Sequence, residues 1–267
     1  MNQPDEFYIG WEAKAAPGVG KTVRKTVVVV LALALLAPIL LAVSQRMIGV
    51  SVFEWGTHKT FSGILQVQPY PHLLVPRPGK ADGLPRFSTY YLVAPWKFGL
   101  DRETIGPLHG KSVTLKGTLI YRDNQTMIET KAEWIQAAEK TSATTPPLPS
   151  TSLGTQTLVG EIVDSKCFLG VMNPGQLTPH RACAIRCISG GVPPVLLVRQ
   201  TNGPAFYFLL VSRDGKPVNK EVLDLVAEPV EITGAVERQG ELLILRANPA
   251  TYRRVKRHLL LGKARDG

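Results

Sequence analysis

From Thr26 to Gln45 the chain carries no charged residue, and Lys25 and Arg46 bracket the run. At about 1.5 Å per helical residue this stretch reaches roughly 30 Å, the thickness of a bilayer hydrocarbon core. Its centre, VVVVLALALLAPILLAV, lacks the polar face that a helix resting on a globular core would show. Pro38 is tolerated in lipid, where neighbouring groups re-satisfy the freed carbonyl. Lys14, Lys21, Arg24 and Lys25 precede the run, whereas only Arg46 and Lys59 follow it closely. The positive-inside rule then expects residues 1–25 to be a cytoplasmic tail and 26–45 a single transmembrane helix. The remainder is expected in the periplasm, held to a bacterial inner membrane. Ala42-Val43-Ser44 resembles a signal-peptidase site, so a cleaved leader competes with the anchor; the length of the run and the acids before it favour the anchor.

Export changes the meaning of the net charge of +10. For a cytoplasmic protein such a balance points first to nucleic acid. Outside the cytoplasm, anionic lipid or an acidic protein surface is the expected partner, and nucleic acid is not. The most basic segment is a C-terminal tail, residues 251–267, in which Arg253, Arg254, Lys256 and Arg257 precede Leu259-Leu260-Leu261. Basic and apolar residues so combined suit an interface.

The 24 glycines and 21 prolines suit short strands and turns rather than long helices. Two blocks repeat one order of signals. A strand with an interior glycine opens each, TFSGILQV around Gly63 and TLVGEIVD around Gly160. An aromatic strand follows, STYYLVAP and AFYFLLVS; then a short helical or turn segment, DRETIGPLHGK and NKEVLDLVAEP. A second glycine-bearing strand comes next, VTLKGTLIYR around Gly117 and VEITGAVER around Gly234, and TMIETKAEW and ELLILRAN close the blocks. Interior strand glycines mark bulges and coiling, which small barrels need to close. The expected fold is mainly β: two small OB-like barrels, at 56–138 and 158–250, joined by a Pro/Thr/Ser linker at 139–157 that should be extended or mobile. The second copy is the longer, and its extra length falls where its cysteines lie.

All three cysteines, Cys167, Cys183 and Cys187, occur in that insert. Asn173-Pro174-Gly175 signals a turn, and Thr178-Pro179 is suited to start a helix. His180, Cys183 and Cys187 then fall at i, i+3 and i+7 on one helical face, and Gly190-Gly191 stops the helix. Three readings follow. Cys167, His180, Cys183 and Cys187 converge on zinc or copper, with Met172 as a soft extra ligand for copper. Alternatively a disulfide among the three cysteines staples the insert. Or Cys183 and Cys187 are a redox pair with Cys167 resolving, although the C-x3-C spacing and surrounding pattern differ from the usual thiol oxidoreductases.

The run D-S-x-C, a loop, H-x-x-C-x-x-x-C and G-G-x-P-P resembles a family of exported bacterial domains of unknown function. The matching residues are Asp164, Ser165, Cys167, His180, Cys183, Cys187, Gly190 and Gly191, and the resemblance covers roughly Gly160 to Ala247. It implies a small exported barrel and supplies no reaction.

Other residues read as structural. His58, His72, His109 and His258 show no ligand spacing. Trp55, Trp96 and Trp134 are expected at a barrel core or rim, Trp55 near the membrane interface. Glu161 and Asp164, three apart on a strand, point to opposite faces. With no catalytic constellation visible, the expected protein is a membrane-anchored periplasmic accessory or assembly subunit, of a respiratory or metal-enzyme complex, more a non-enzyme than an enzyme. A stand-alone metal-binding or thiol-redox protein is the alternative.

Overall fold

The computed structural model describes residues 16–45, 51–77, 87–138, 148, 150–200 and 204–256. It forms two units, Met1–Gly49 and Val50–Gly267. The first contains helix α1, Pro17–Gln45, which begins before the expected Thr26 and is long and apolar enough to cross a membrane. A signal sequence would meet the same criteria. Lys14 and Arg46, part of the orientation argument, lie outside the described residues.

The second unit is two closed five-strand barrels, consistent with the OB-like expectation. Its strands are β1 (Ser51–Phe53), β2 (Lys59–Gln66), β3 (His72–Pro76), β4 (Phe87–Val93), β5 (Ser112–Arg122), β6 (Gln125–Ala137), β7 (Ser150–Asp164), β8 (Pro194–Val198), β9 (Phe206–Val211), β10 (Pro229–Gln239), β11 (Leu242–Arg246) and β12 (Arg253–Arg254). One ring runs β2-β3-β4-β6-β5 and back to β2; the other runs β7-β8-β9-β11-β10 and back to β7. In each the third strand pairs with the fifth in parallel, β4 with β6 and β9 with β11. Short helix α2 (Arg102–Ile105) and a 3-10 turn at Leu223–Leu225 hold the expected places before β5 and β10.

The repeat is written in the register. Gly63 pairs with Val113 and Lys59 with Gly117; Gly160 pairs with Val230 and Gln156 with Gly234. Followed round each ring, the pairings place Tyr91 with Met127 where the second barrel has Leu209 with Ile244. At Gly63 an added Cβ would lie 2.4 Å from Leu74 O, and at Gly160 it would lie 2.6 Å from Leu197 O. Both opening strands therefore use glycine for the same reason: the next strand's backbone passes too close for a side chain. The aromatic strand is third in each barrel, not second, because β3 and β8 precede it. β3 escapes the repeat pattern because HLLV is short and follows a Pro-rich turn.

Two boundaries of the barrels differ from expectation. β7 begins at Ser150, inside the expected linker, because its Thr/Ser-rich start pairs along β10 as far as Gln239. Threonine favours the pleated state, and the ladder satisfies a backbone that composition alone reads as loose. Of the linker, residues 139–147 and 149 lie outside the described residues. β1, before the expected barrel start at 56, pairs with β5.

The barrels are packed together rather than strung apart. Each has its own core, around Leu65, Leu92 and Ile128 in the first and Ile162, Leu196 and Ile232 in the second. A third buried cluster joins them, with Tyr91, Val93 and Met127 from one barrel and Leu209, Val211 and Ile244 from the other. By register these are equivalent residues, so the repeats meet through the same face. Cys167 and Cys187 are buried in this seam.

One buried residue sets a pH dependence. His72 is 4% exposed, its Nδ1 donates to Tyr70 O at 2.8 Å, and burial lowers its pKa to about 4. The unfolded chain takes up this proton near pH 6.5 and the folded one does not, so stability is full above that value and falls as pH drops toward 4. The loss from this group is about 3 kcal/mol. The second barrel has Val195 at the matching place. His72→Val should therefore flatten urea-melt stability between pH 7 and 4 relative to wild type; an unchanged slope would refute the assignment.

Candidate metal centre

Asp164 ends β7 and caps the turn that follows, accepting the Cys167 N–H at 2.7 Å through Oδ1. Its Oδ2 accepts from His180 Nε2 at 2.9 Å. One carboxylate thus fixes both the backbone of Cys167 and the ring of His180, and it is fully buried. With Nε2 held by the carboxylate, Nδ1 is the ring nitrogen left for a metal, the arrangement in which a carboxylate orients a metal-binding imidazole. Cys167 opens a π-helical turn, Cys167–Val171.

Helix α3, Leu177–Ser189, carries His180, Cys183 and Cys187. It begins one residue before Thr178, with Gln176 at the N-cap rather than threonine. The Leu177 N–H is taken by the Glu161 carboxylate, so a buried acid from β7 does the work expected of a threonine cap. At the other end Val192 N bonds to Cys187 O at 3.1 Å and Gly191 N to Ile188 O at 2.9 Å, with Gly191 at φ +102°. This is the double hydrogen bond of a glycine stop.

The four expected ligands come together in a pattern the spacing did not show. Cys167, His180 and Cys183 form one triad of mutually close donor atoms; Asp164, Cys167 and Cys187 form another. Cys167 belongs to both, whereas Cys183 and Cys187 share no triad. Cys167 Sγ lies 3.9 Å from Cys183 Sγ and 3.8 Å from Cys187 Sγ. All three cysteines are free, and none forms a disulfide. The bond to Cys187, together with burial, pushes the Cys167 thiol pKa up, and the same bond holds that of Cys187 down. Met172 is exposed.

The first barrel reaches into this site, which nothing in the second block's sequence announces. Lys97 Nζ donates to Cys183 Sγ at 2.7 Å, and this contact raises the lysine's pKa. Lys166, next to Cys167 and 1% exposed, donates to Ala94 O at 2.8 Å and Trp96 O at 2.7 Å, and pairs with Glu129 Oε2 at 2.5 Å. Gly99 N bonds to Gly190 O at 2.9 Å. A Cβ on Gly190 would lie 2.1 Å from Lys97 O, so the glycine that helps end α3 also lets the 94–99 loop lie on it. Gly190→Ala should displace that loop. The expected result is faster alkylation of Cys183 with little change in far-UV circular dichroism; an unchanged rate would count against the contact.

Elsewhere, the tryptophans expected at a barrel core or rim are not core residues. Trp55 and Trp96 are 74% and 80% exposed rather than filling a core. Trp134 is half-buried, with Lys116 and Lys131 over its ring. In the basic tail, Arg253 pairs with Glu231 and Arg254 with Glu228, both within β12. Lys256 is exposed, and Arg257 lies outside the described residues.

Among known proteins, no family model and no curated sequence matches the chain. The site is therefore read from its own chemistry. Two sulfurs and an imidazole nitrogen within reach of one point, oriented by a buried carboxylate, form a set suited to a soft or borderline metal ion.

Proposed function

We propose that this is a membrane-anchored metal-binding protein of the bacterial cell envelope, holding zinc or copper through Cys167, His180 and Cys183. The observation that carries the reading is a pair of sulfurs at metal-site spacing with an imidazole nitrogen in the same triad; Cys167 and Cys187 have that spacing too, but their third donor, Asp164, is already engaged by Cys167 N–H and His180. A tetrahedral ion with metal–sulfur bonds of about 2.3 Å keeps its sulfurs about 3.8 Å apart, and Cys167 and Cys183 stand at 3.9 Å. Three protein donors leave one coordination position for a further ligand. Cys187, 3.8 Å from Cys167 Sγ, offers a further sulfur.

The place of such a protein is an accessory or assembly subunit of an envelope complex, with its barrels in the periplasm. The apolar helix, the two packed barrels and the resemblance of residues 160–247 to exported domains support that placement. Exposed Trp55, Trp96 and Lys256 are available to a partner or a lipid surface.

Metal analysis and thiol counting on full-length protein, exported to the periplasm and purified in mild detergent, test the reading. One zinc or copper ion per chain with three reduced thiols is expected. No metal, with two thiols oxidised, would overturn the metal reading. Co-purification from the same detergent tests the accessory role, and a solitary monomer would overturn it.

A further inference from the structure

We propose that the three cysteines also form a thiol–disulfide relay, running from the surface through Cys167 to a buried disulfide between Cys167 and Cys187. Two observations carry it. The sulfurs are graded in exposure: Cys183 is half-buried, whereas Cys167 and Cys187 are 3% and 1% exposed. Cys167 lies at nearly equal distance from each of the others, 3.9 and 3.8 Å, while Cys183 and Cys187 share no donor triad.

The oxidant is a disulfide, R–S–S–R, of a small molecule or a protein. Cys183 attacks it, forming a Cys183–S–S–R bond and expelling one RS⁻, which takes up the proton Cys183 gave. Cys167 then attacks Cys183 Sγ, expelling the second RS⁻ with the Cys167 proton and leaving a Cys167–Cys183 disulfide. Cys187 attacks Cys167 Sγ; the Cys167–Cys183 bond breaks, and Cys183 returns as a thiol with the proton of Cys187. In sum, two electrons and two protons pass from Cys167 and Cys187 to R–S–S–R, giving two R–SH. Each step is attack of a thiol sulfur on its neighbour, the general course of thiol–disulfide exchange. The expected pairing of Cys183 with Cys187 is thereby rearranged: Cys167 is the pivot, and Cys183 is regenerated. The relay also gives a role to the odd cysteine of an exported chain.

The relay uses the sulfurs proposed to hold metal, so it is tested on metal-free, fully reduced, full-length protein in detergent, apart from any metal titration. The probe is oxidised glutathione at one equivalent, with free glutathione counted and disulfides mapped by peptide mass spectrometry. Wild type should release both glutathione molecules and end with Cys167 joined to Cys187 and Cys183 free. Cys187→Ser should stop at Cys167–Cys183. Cys167→Ser should retain glutathione on Cys183. Cys183→Ser should slow oxidation by about tenfold or more, because the remaining thiols are buried. A persistent glutathione adduct on wild-type Cys183, a final Cys167–Cys183 bond, or an undiminished rate in Cys183→Ser would overturn the relay. Metal binding by the reduced wild type would stand or fall separately.

Discussion

Lys166→Ala should destabilise the two-barrel unit by about 3–5 kcal/mol, the cost of breaking a buried ion pair from one side. Lys166 is 1% exposed, its ammonium has three hydrogens, and the structure gives each an acceptor: Ala94 O, Trp96 O and Glu129 Oε2. Removing the lysine leaves a carboxylate and two carbonyls of the first barrel facing a void lined by the second. The loss has two parts, an unpaired charge and a cavity, and a second variant separates them. Lys166→Met keeps most of the volume but not the charge, so it should recover only a minor part. Adding Glu129→Gln to Lys166→Met should recover more, since it removes the uncompensated carboxylate. Urea melts at neutral pH read all three. A Lys166→Ala loss below about 1 kcal/mol would place the pair in the class of weak surface bridges and dissociate it from the docking of the barrels. Because Lys166 sits beside Cys167 and anchors the loop that carries Lys97, the variant should also raise the alkylation rate of Cys183.

The barrels were legible in the sequence because their determinants are local. A glycine within a strand, an aromatic strand and a short helical link recur in order, and each reflects a constraint imposed within about one strand length. The same locality made Cys167, His180, Cys183 and Cys187 visible as candidates, since helical periodicity brings three of them to one face. The division into two triads was not visible: it depends on how Cys167, from a π-helical turn, meets α3, and no spacing rule reports that angle. Asp164 shows the middle case. Strand period sets it on the face opposite Glu161, yet both carboxylates find partners at the start of one helix, His180 and Leu177 N–H, which sequence alone does not dock. Lys97 lies in the other barrel, eighty-six positions from Cys183, and reads as an ordinary loop cation. The linker erred for a related reason: Ser150 to Thr157 have the composition of a loop, and only the partner strand β10 makes them a strand.

The largest functional effect is expected from Cys167→Ser. Its sulfur belongs to both donor triads, so among the described residues no alternative triad survives its loss. Metal affinity should fall by about a hundredfold or more, since a thiolate supplies a major share of the binding free energy of a zinc or copper(I) site. Cys187→Ser provides the contrast, because it leaves Cys167, His180 and Cys183 in place; affinity should fall by less than about tenfold. Asp164→Asn lies between. The amide still accepts one hydrogen bond but no longer holds the imidazole with a charge, and loss of such an orienting partner typically costs about 10–100-fold. Competition titration with a chromophoric chelator, on reduced full-length protein, ranks the three. The order Cys167→Ser, Asp164→Asn, Cys187→Ser, from greatest loss to least, fits an ion held by the Cys167–His180–Cys183 triad. Equal, large losses for Cys167→Ser and Cys187→Ser, with Asp164→Asn close behind, would instead place the ion in the Asp164–Cys167–Cys187 triad. In that case His180→Ala, rather than Cys187→Ser, should be the mild variant.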